Sequence, residues 1–299
     1  MMNNKEEIRK LLKKLRKYEI SIRKAITTQM QGDFHSVFKG SGITFDDVRE
    51  YQYGDDIRSI DWNATAKGHS VYVKTYKEER EQIVYMMLDV SASQEIGDPG
   101  HQKVDIGKEI CGVLSLSAIK EASQVGLLCF SDQKEAYVKP NKGDKHAYQI
   151  ITKLYNTQPV STKTDLNAGI NYLLNIVKRR SIIILVSDFI DDNYVGNLKA
   201  LSRKHDLIVV HLSDKRETQL PSLGIIPVYD KESKKTIWVN SSSSNFQSKV
   251  SSTYAGTRQT LEDFCRRHEA DYLSIATEED YVPKLINLFR VRNKIRKSA

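Results

Sequence analysis

From residue 81 onward, short apolar runs alternate with segments of helical periodicity, and this limits the fold more than any other feature of the chain. Ile83–Leu88, Val125–Phe130, Ser181–Val186 and Leu207–Leu212 form the runs, and residues 271–276 read as a further strand. A strand with one wet face alternates apolar and polar residues, whereas a continuous apolar run fits a strand covered on both sides. Between the runs, Ile106, Ile110, Val113, Leu114 and Ile119 give Val104–Ala122 one broad apolar face. Helical spacing also marks Lys145–Asn156, Leu166–Val177, 194–204, 257–268 and 280–295. This order predicts an α/β fold with a mostly parallel sheet and helices on both faces. Ala136–Val138 is expected to return beside the second strand through a tight turn at Asp132-Gln133.

The first 80 residues follow another pattern and are read as a separate region, 1–80, preceding a larger domain at 81–299. Ile8, Leu11, Leu12, Leu15, Tyr18, Ile22 and Ile26 recur at steps of three and four, which predicts an amphipathic helix over 5–30 with a basic back. Residues 31–80 are punctuated by glycines and read as a small β-rich module of loops, with a strand at Val71–Tyr76. An insertion over about 213–256 carries an expected hairpin around Asp230-Lys231-Glu232 and a serine tract, Ser241–Asn245, expected as an exposed loop.

Charge narrows the functional classes. The formal net charge is +8, but residues 1–30 carry +6 and residues 290–297 carry +5, which leaves −3 for the rest. A nucleic-acid binder needs its basic face on the folded body, so no nucleic-acid partner is expected. A basic end helix is compatible with an acidic partner or, at most, peripheral membrane contact. No apolar run approaches the ~20 residues that span a bilayer. Cys111, Cys129 and Cys265 have neither metal nor disulfide spacing and read as buried free thiols of a reducing compartment. The N-terminus lacks the apolar core of a signal peptide, and a cytoplasmic location is expected. The chain has no phosphate-binding G-x-x-x-x-G-K-[ST] loop and no G-x-S-x-G elbow.

In open α/β sheets, ligands bind at the carboxyl ends of the strands. Three segments bring oxygen donors there: Asp89-Val90-Ser91-Ala92-Ser93, Ser187-Asp188-Phe189, and Ser161-Thr162-Lys163-Thr164-Asp165 before a helix. All are hard donors, suited to Mg2+ or Mn2+ and poor for zinc. With few direct carboxylates a bound cation stays electrophilic, and an open coordination position favours a partner's Asp or Glu. The alternative reading of Asp89, Ser91 and Ser93 is a turn with capping residues, and that of Thr164 or Asp165 is a helix cap. Asp191 and Asp192 read as a solvated turn. A metal-dependent hydrolase would need a base or a second metal, for which only Asp165 and Asp191 stand nearby.

D-x-S-x-S at the end of a first core strand, with a later Thr and a later Asp, resembles the metal-ion-dependent adhesion site of von Willebrand factor A domains. Asp89, Ser91 and Ser93 match the first motif, Thr164 the second and Asp188 the third. Upstream, Gly40-Ser41-Gly42, Phe45, Arg49, Tyr51 and Tyr53-Gly54-Asp55-Asp56-Ile57-Arg58-Ser59-Ile60-Asp61-Trp62 resemble the signature of the bacterial domain of unknown function 58 family. That resemblance runs from about residue 8 to 295. It implies a von Willebrand factor A-like, Rossmann-like domain that is not an enzyme and binds protein through Mg2+ or Mn2+, with a carboxylate of the partner completing the shell. It further implies a role as partner or adaptor of a MoxR-type AAA+ ATPase or its client. Thr162-Lys163 stands where the family tends to have glycines, so Thr162 competes with Thr164 for the ligand role, and Gln94 stands where Met is common. The Tyr53–Trp62 segment has two readings: a turn held by arginine–carboxylate pairs with Trp62 as a buried anchor, or a partner contact through Asp55, Asp56 and Arg58. The competing functional classes are the hydrolase and a nucleic-acid or membrane-surface binder working through the basic ends.

Overall fold

The computed structural model describes residues 11–20, 39–68, 70–218, 222–230 and 235–298. Residues 11–20 are helical (α1). Ile8, Ile22 and Ile26 of the expected basic helix lie outside the described residues. The next elements are β1 (Lys39–Glu50), α2 (Trp62–Lys67), β2 (Tyr72–Glu81), β3 (Ile83–Asp89), the two-residue strands β4 (Gly97–Asp98) and β5 (His101–Gln102), and α3 (Lys103–Lys120). They are followed by β6 (Gln124–Phe130), β7 (Lys134–Asn141), α4 (Asp144–Asn156), α5 (Leu166–Ile176), β8 (Ile182–Ser187), α6 (Val195–Lys204), β9 (Asp206–Ser213) and α7 (Lys215–Thr218). The chain continues through β10 (Ile225–Asp230), β11 (Lys235–Asn240), α8 (Ser244–Arg267), β12 (Asp271–Ala276) and α9 (Tyr281–Ser298).

The chain divides into two compact units, Phe38–Gln82 and the remainder. The larger unit is built on a six-stranded sheet in the order β12-β9-β8-β3-β6-β7. Its neighbours are parallel except β7, which runs antiparallel to β6 as its tight turn requires. The mixed α/β architecture therefore follows the apolar runs. Helices lie on both faces, and two glycines show how closely. A side chain on Gly107 of α3 would stand 2.7 Å from Leu88 Cδ1 and 3.3 Å from Leu212 Cδ1. On the other face, one on Gly169 of α5 would stand 2.5 Å from Phe130 Cδ2 and 2.9 Å from Met87 Cε. The second face is closed by Ile170, Leu173, Leu198, Leu201, Leu261 and Phe264 against the apolar runs.

The described part of the basic helix groups with this larger unit. Leu15 is fully buried and sits against Gly112 of α3, Lys14 pairs with Glu109, and Tyr18 meets Tyr281 edge-on. All three cysteines are free and buried. The hairpin in the insertion is present, as β10 paired with β11. The serine tract, however, is not an exposed loop: Ser241 is buried and Ser243 opens the 24-residue helix α8. Phe246, Val250 and Tyr254, spaced at four, extend the helix N-terminally from the expected start at 257. Among the described residues no helix is long and apolar enough to cross a membrane.

The smaller unit is a β1–β2 antiparallel pair with two register shifts. The sequence marked only part of β2 as a strand. Trp62 is no buried anchor: it opens α2 and is 68% exposed.

Candidate functional site

β3 ends at Asp89 and β8 at Ser187, and the two strands are parallel neighbours, so their polar ends share one edge of the sheet. The Asp89 carboxylate is fully buried. Its Oδ1 accepts from the Ser91 amide at 2.9 Å, and its Oδ2 from the Ser187 hydroxyl at 2.7 Å and Gln94 Nε2 at 3.3 Å. Ser91 Oγ and Ser93 Oγ are 3.0 Å apart. A single 3-10 turn, Ala92–Glu95, folds the chain back at this point, which is why residues two and five places after Asp89 reach its side chain. Gln94 is fully buried, and its Oε1 has no hydrogen-bond partner among the described residues.

The third segment joins through its backbone. The Ala92 amide donates to the Thr162 carbonyl at 3.1 Å, and the Asp165 amide to the Ser131 carbonyl at 3.3 Å. Glu135 of β7 accepts from the Val160 and Ser161 amides at 2.9 and 3.1 Å. The capping role falls to Asp165, which accepts from the Ala168 amide at 2.9 Å. Thr164 precedes it, half-buried. Asp191 is not simply solvated, because its Oδ2 accepts from the Leu166 amide at 2.7 Å.

Asp188 follows β8 and is 1% exposed. Its Oδ1 accepts from the Ile190 amide at 3.2 Å and its Oδ2 from Lys103 Nζ at 2.6 Å. Lys103, the first residue of α3, is itself fully buried and also pairs with Glu217 of α7. Burial alone would lower the Lys103 pKa, but the charges and hydrogen bonds of Asp188 and Glu217 outweigh it and hold the ammonium above its usual value. Burial raises Glu217. Burial and then the charge of Asp188 push Asp89 up to about 7. Nearby, His211 is kept neutral, pushed down to about 4 chiefly by burial, and its Nδ1 lies 2.8 Å from the Tyr272 hydroxyl.

The charges do not balance. Lys103 answers two of the three buried carboxylates, Asp188 and Glu217, whereas Asp89, which feels the charge of Asp188, takes its hydrogen bonds from Ser91, Ser187 and Gln94 and has no cation beside it among the described residues. An uncompensated charge in such a place takes up a proton or a counter-ion. Among the described residues no group of three or more His, Cys, Asp or Glu side chains is arranged to hold a metal ion. The donors assembled here are two carboxylates with hydroxyls and one orphaned amide oxygen, a set whose hardness and surplus negative charge fit a divalent cation.

A family model described as protein of unknown function DUF58 matches residues 47–260. The chain belongs to the DUF58 family. Its relatives include an uncharacterized protein of Mycobacterium bovis, 25% identical over 227 residues, spanning 75% of this chain and 72% of that protein. An uncharacterized protein of Mycobacterium avium is 22% identical over 159 residues, spanning 52% of this chain and 94% of that one. Among solved structures, the conserved hypothetical protein BatB from Bacteroides thetaiotaomicron aligns with a TM-score of 0.46 at 14% identity, over 72% of this chain and 99% of that one.

In this DUF58 chain the structure groups Asp89, Ser91, Ser93 and Asp188, and puts Thr164 on the segment tied to them by the Ala92–Thr162 bond. Asp55 and Asp56 serve their own loop: Asp55 pairs with Arg49, and Asp56 accepts from the Arg58 amide. Lys103 and Glu217 are the residues that sequence reasoning missed. Their partners lie 85 and 114 positions apart along the chain, so no local pattern marks them.

Proposed function

We propose that this DUF58 chain is a von Willebrand factor A-like, non-enzymatic protein-interaction module that works through Mg2+ or Mn2+, as partner or adaptor of a MoxR-type AAA+ ATPase. The observation that carries the reading is the convergence of two buried carboxylates, Asp89 and Asp188, from separate strand ends beside the Ser91 and Ser93 hydroxyls. The surplus negative charge and the unpartnered Gln94 oxygen support it. The ATPase partnership rests on the family resemblance. Asp89, Ser91, Ser93, Thr164 and Asp188 would hold the cation, which supplies an electrophilic position for a partner's carboxylate. Lys103 fixes the orientation of Asp188, and Ser187 and the Ser91 amide fix that of Asp89.

Calorimetric titration of Mg2+ and Mn2+ into wild type, Asp89→Ala and the near-isosteric Asp89→Asn tests the reading. The expected result is saturable heat from wild type that both variants lose, with pull-down of a partner abolished by EDTA. Equal heats from all three, or none from a folded wild type, refute it.

A further inference from the structure

The smaller unit carries a surface that the cation site does not use. The loop from Tyr51 to Trp62 is held from within. Arg49 donates two parallel hydrogen bonds to Asp55, Nη1 to Oδ2 at 2.8 Å and Nη2 to Oδ1 at 2.7 Å. The Gln52 amide adds a third to the same carboxylate at 2.8 Å. Asp56 accepts from the Arg58 amide at 2.9 Å, and Asp61 from the Asn63 and Ala64 amides at 2.9 and 3.1 Å. The two ends are stitched to the start of β2 and the residue before it: the Tyr51 amide donates to the Val71 carbonyl and the Asp61 amide to the Tyr72 carbonyl, both at 2.8 Å.

Every carboxylate of this loop therefore has a local partner. Arg58 does not: its guanidinium is exposed and has no hydrogen bond or ion pair among the described residues. Three large apolar side chains stand exposed in the same ten-residue span, Tyr53 at 105%, Ile57 at 68% and Trp62 at 68%. Single exposed apolar residues need no explanation, but Tyr, Trp and Arg together are the side chains that dominate protein interfaces. A loop already fixed by its own hydrogen bonds loses little further freedom when a partner covers it.

We infer that this loop is a docking surface for a protein segment that presents a carboxylate beside apolar side chains. The free cation calls for an acid, and Tyr53, Ile57 and Trp62 call for apolar cover. A nucleic-acid or anionic-lipid surface fits poorly, because such binding recruits several cations and this loop offers one among three acids.

The test uses the full chain, fluorescently labelled, on an array of short peptides in EDTA. The array pairs Asp- or Glu-containing sequences flanked by Leu, Ile or Phe with copies bearing Lys in place of the acid. Enrichment of the acidic–apolar set is expected. Trp62→Ala is expected to weaken it by about tenfold or more. Arg58→Glu should lose the acidic set and gain the Lys-bearing set, a reversal that a merely unfolded variant cannot produce. Asp89→Ala should bind as wild type, which separates this surface from the cation site. The inference is overturned if no acidic–apolar peptide is enriched, if Arg58→Glu leaves the selection unchanged, or if the chain prefers anionic phosphatidylserine vesicles or single-stranded DNA to every peptide.

Discussion

Replacing Lys103 by Met keeps the length of the side chain and deletes its charge, so it isolates the ammonium. The side chains of Lys103, Asp188 and Glu217 are exposed by 0%, 1% and 2%. Removing one partner of a buried pair costs about 3–5 kcal/mol, because the other charge stays behind in a poor solvent. Two carboxylates lose their counter-charge here, yet the cost does not double. Burial already raises Glu217, so in the variant it takes up a proton readily. We expect a loss of about 3–5 kcal/mol at pH 7, a large share of the total stability of a domain. The pH dependence has a defined sign. Glu217, already raised by burial, loses the ammonium that lowers it, so the folded variant binds more protons than the unfolded chain and loses stability as pH rises. The gap between wild type and variant should therefore widen from pH 5 to pH 7. Urea unfolding followed by circular dichroism, in EDTA, measures it. Adding Mg2+ should recover more stability in the variant than in wild type, because bound ligand stabilises only the folded state and the missing ammonium no longer competes for Asp188. A variant within about 1 kcal/mol of wild type at pH 7, or a gap that narrows as pH rises, would refute the charge argument.

Two further perturbations test separate links. The Asp89 carboxyl, pushed up to about 7 by burial and by Asp188, contributes stability that is fully present below its unfolded pKa of about 4 and is lost as pH rises through 7; thermal melts in EDTA should fall across this window in wild type and fall less in Asp89→Asn. Gly169→Ala would place a methyl group 2.5 Å from the Phe130 ring, overpacking that costs about 1–3 kcal/mol in denaturant unfolding, and a neutral result would mean that α5 is not seated as described.

How far the sequence discloses this molecule depends on the range of each interaction. Strands β3, β6, β8 and β9 are buried on both faces, so β3, β6 and β8 show themselves as unbroken apolar runs and β9 as a run interrupted only by His211. Their order in the sheet is not written in any run, because pairing is decided by partners far along the chain. The first half of α8 escaped notice for another reason. Its apolar stripe is only one residue wide, Phe246, Val250 and Tyr254 among serines and lysines, too narrow to stand out from a polar tract. Within the site, Asp89, Ser91 and Ser93 were legible because one short turn brings them together. Trp62 was misjudged because the carboxylates around it hold the loop without needing an aromatic anchor.

The residue that changes the chemistry of the site, Lys103, is the one that a motif cannot contain. Without it, the buried Asp188 and Glu217 carboxylates would have no counter-charge beside Asp89. A divalent cation in that setting would draw the carboxylates in directly, and its remaining position would have little attraction for another acid. The ammonium removes one of those charges and occupies one oxygen of Asp188. On the proposed reading Lys103 competes with the cation for Asp188 and so limits how many carboxylates reach it. By holding Asp188 it would leave hydroxyls rather than carboxylates to make most of the contacts, and a cation held in that way would attract a partner's carboxylate.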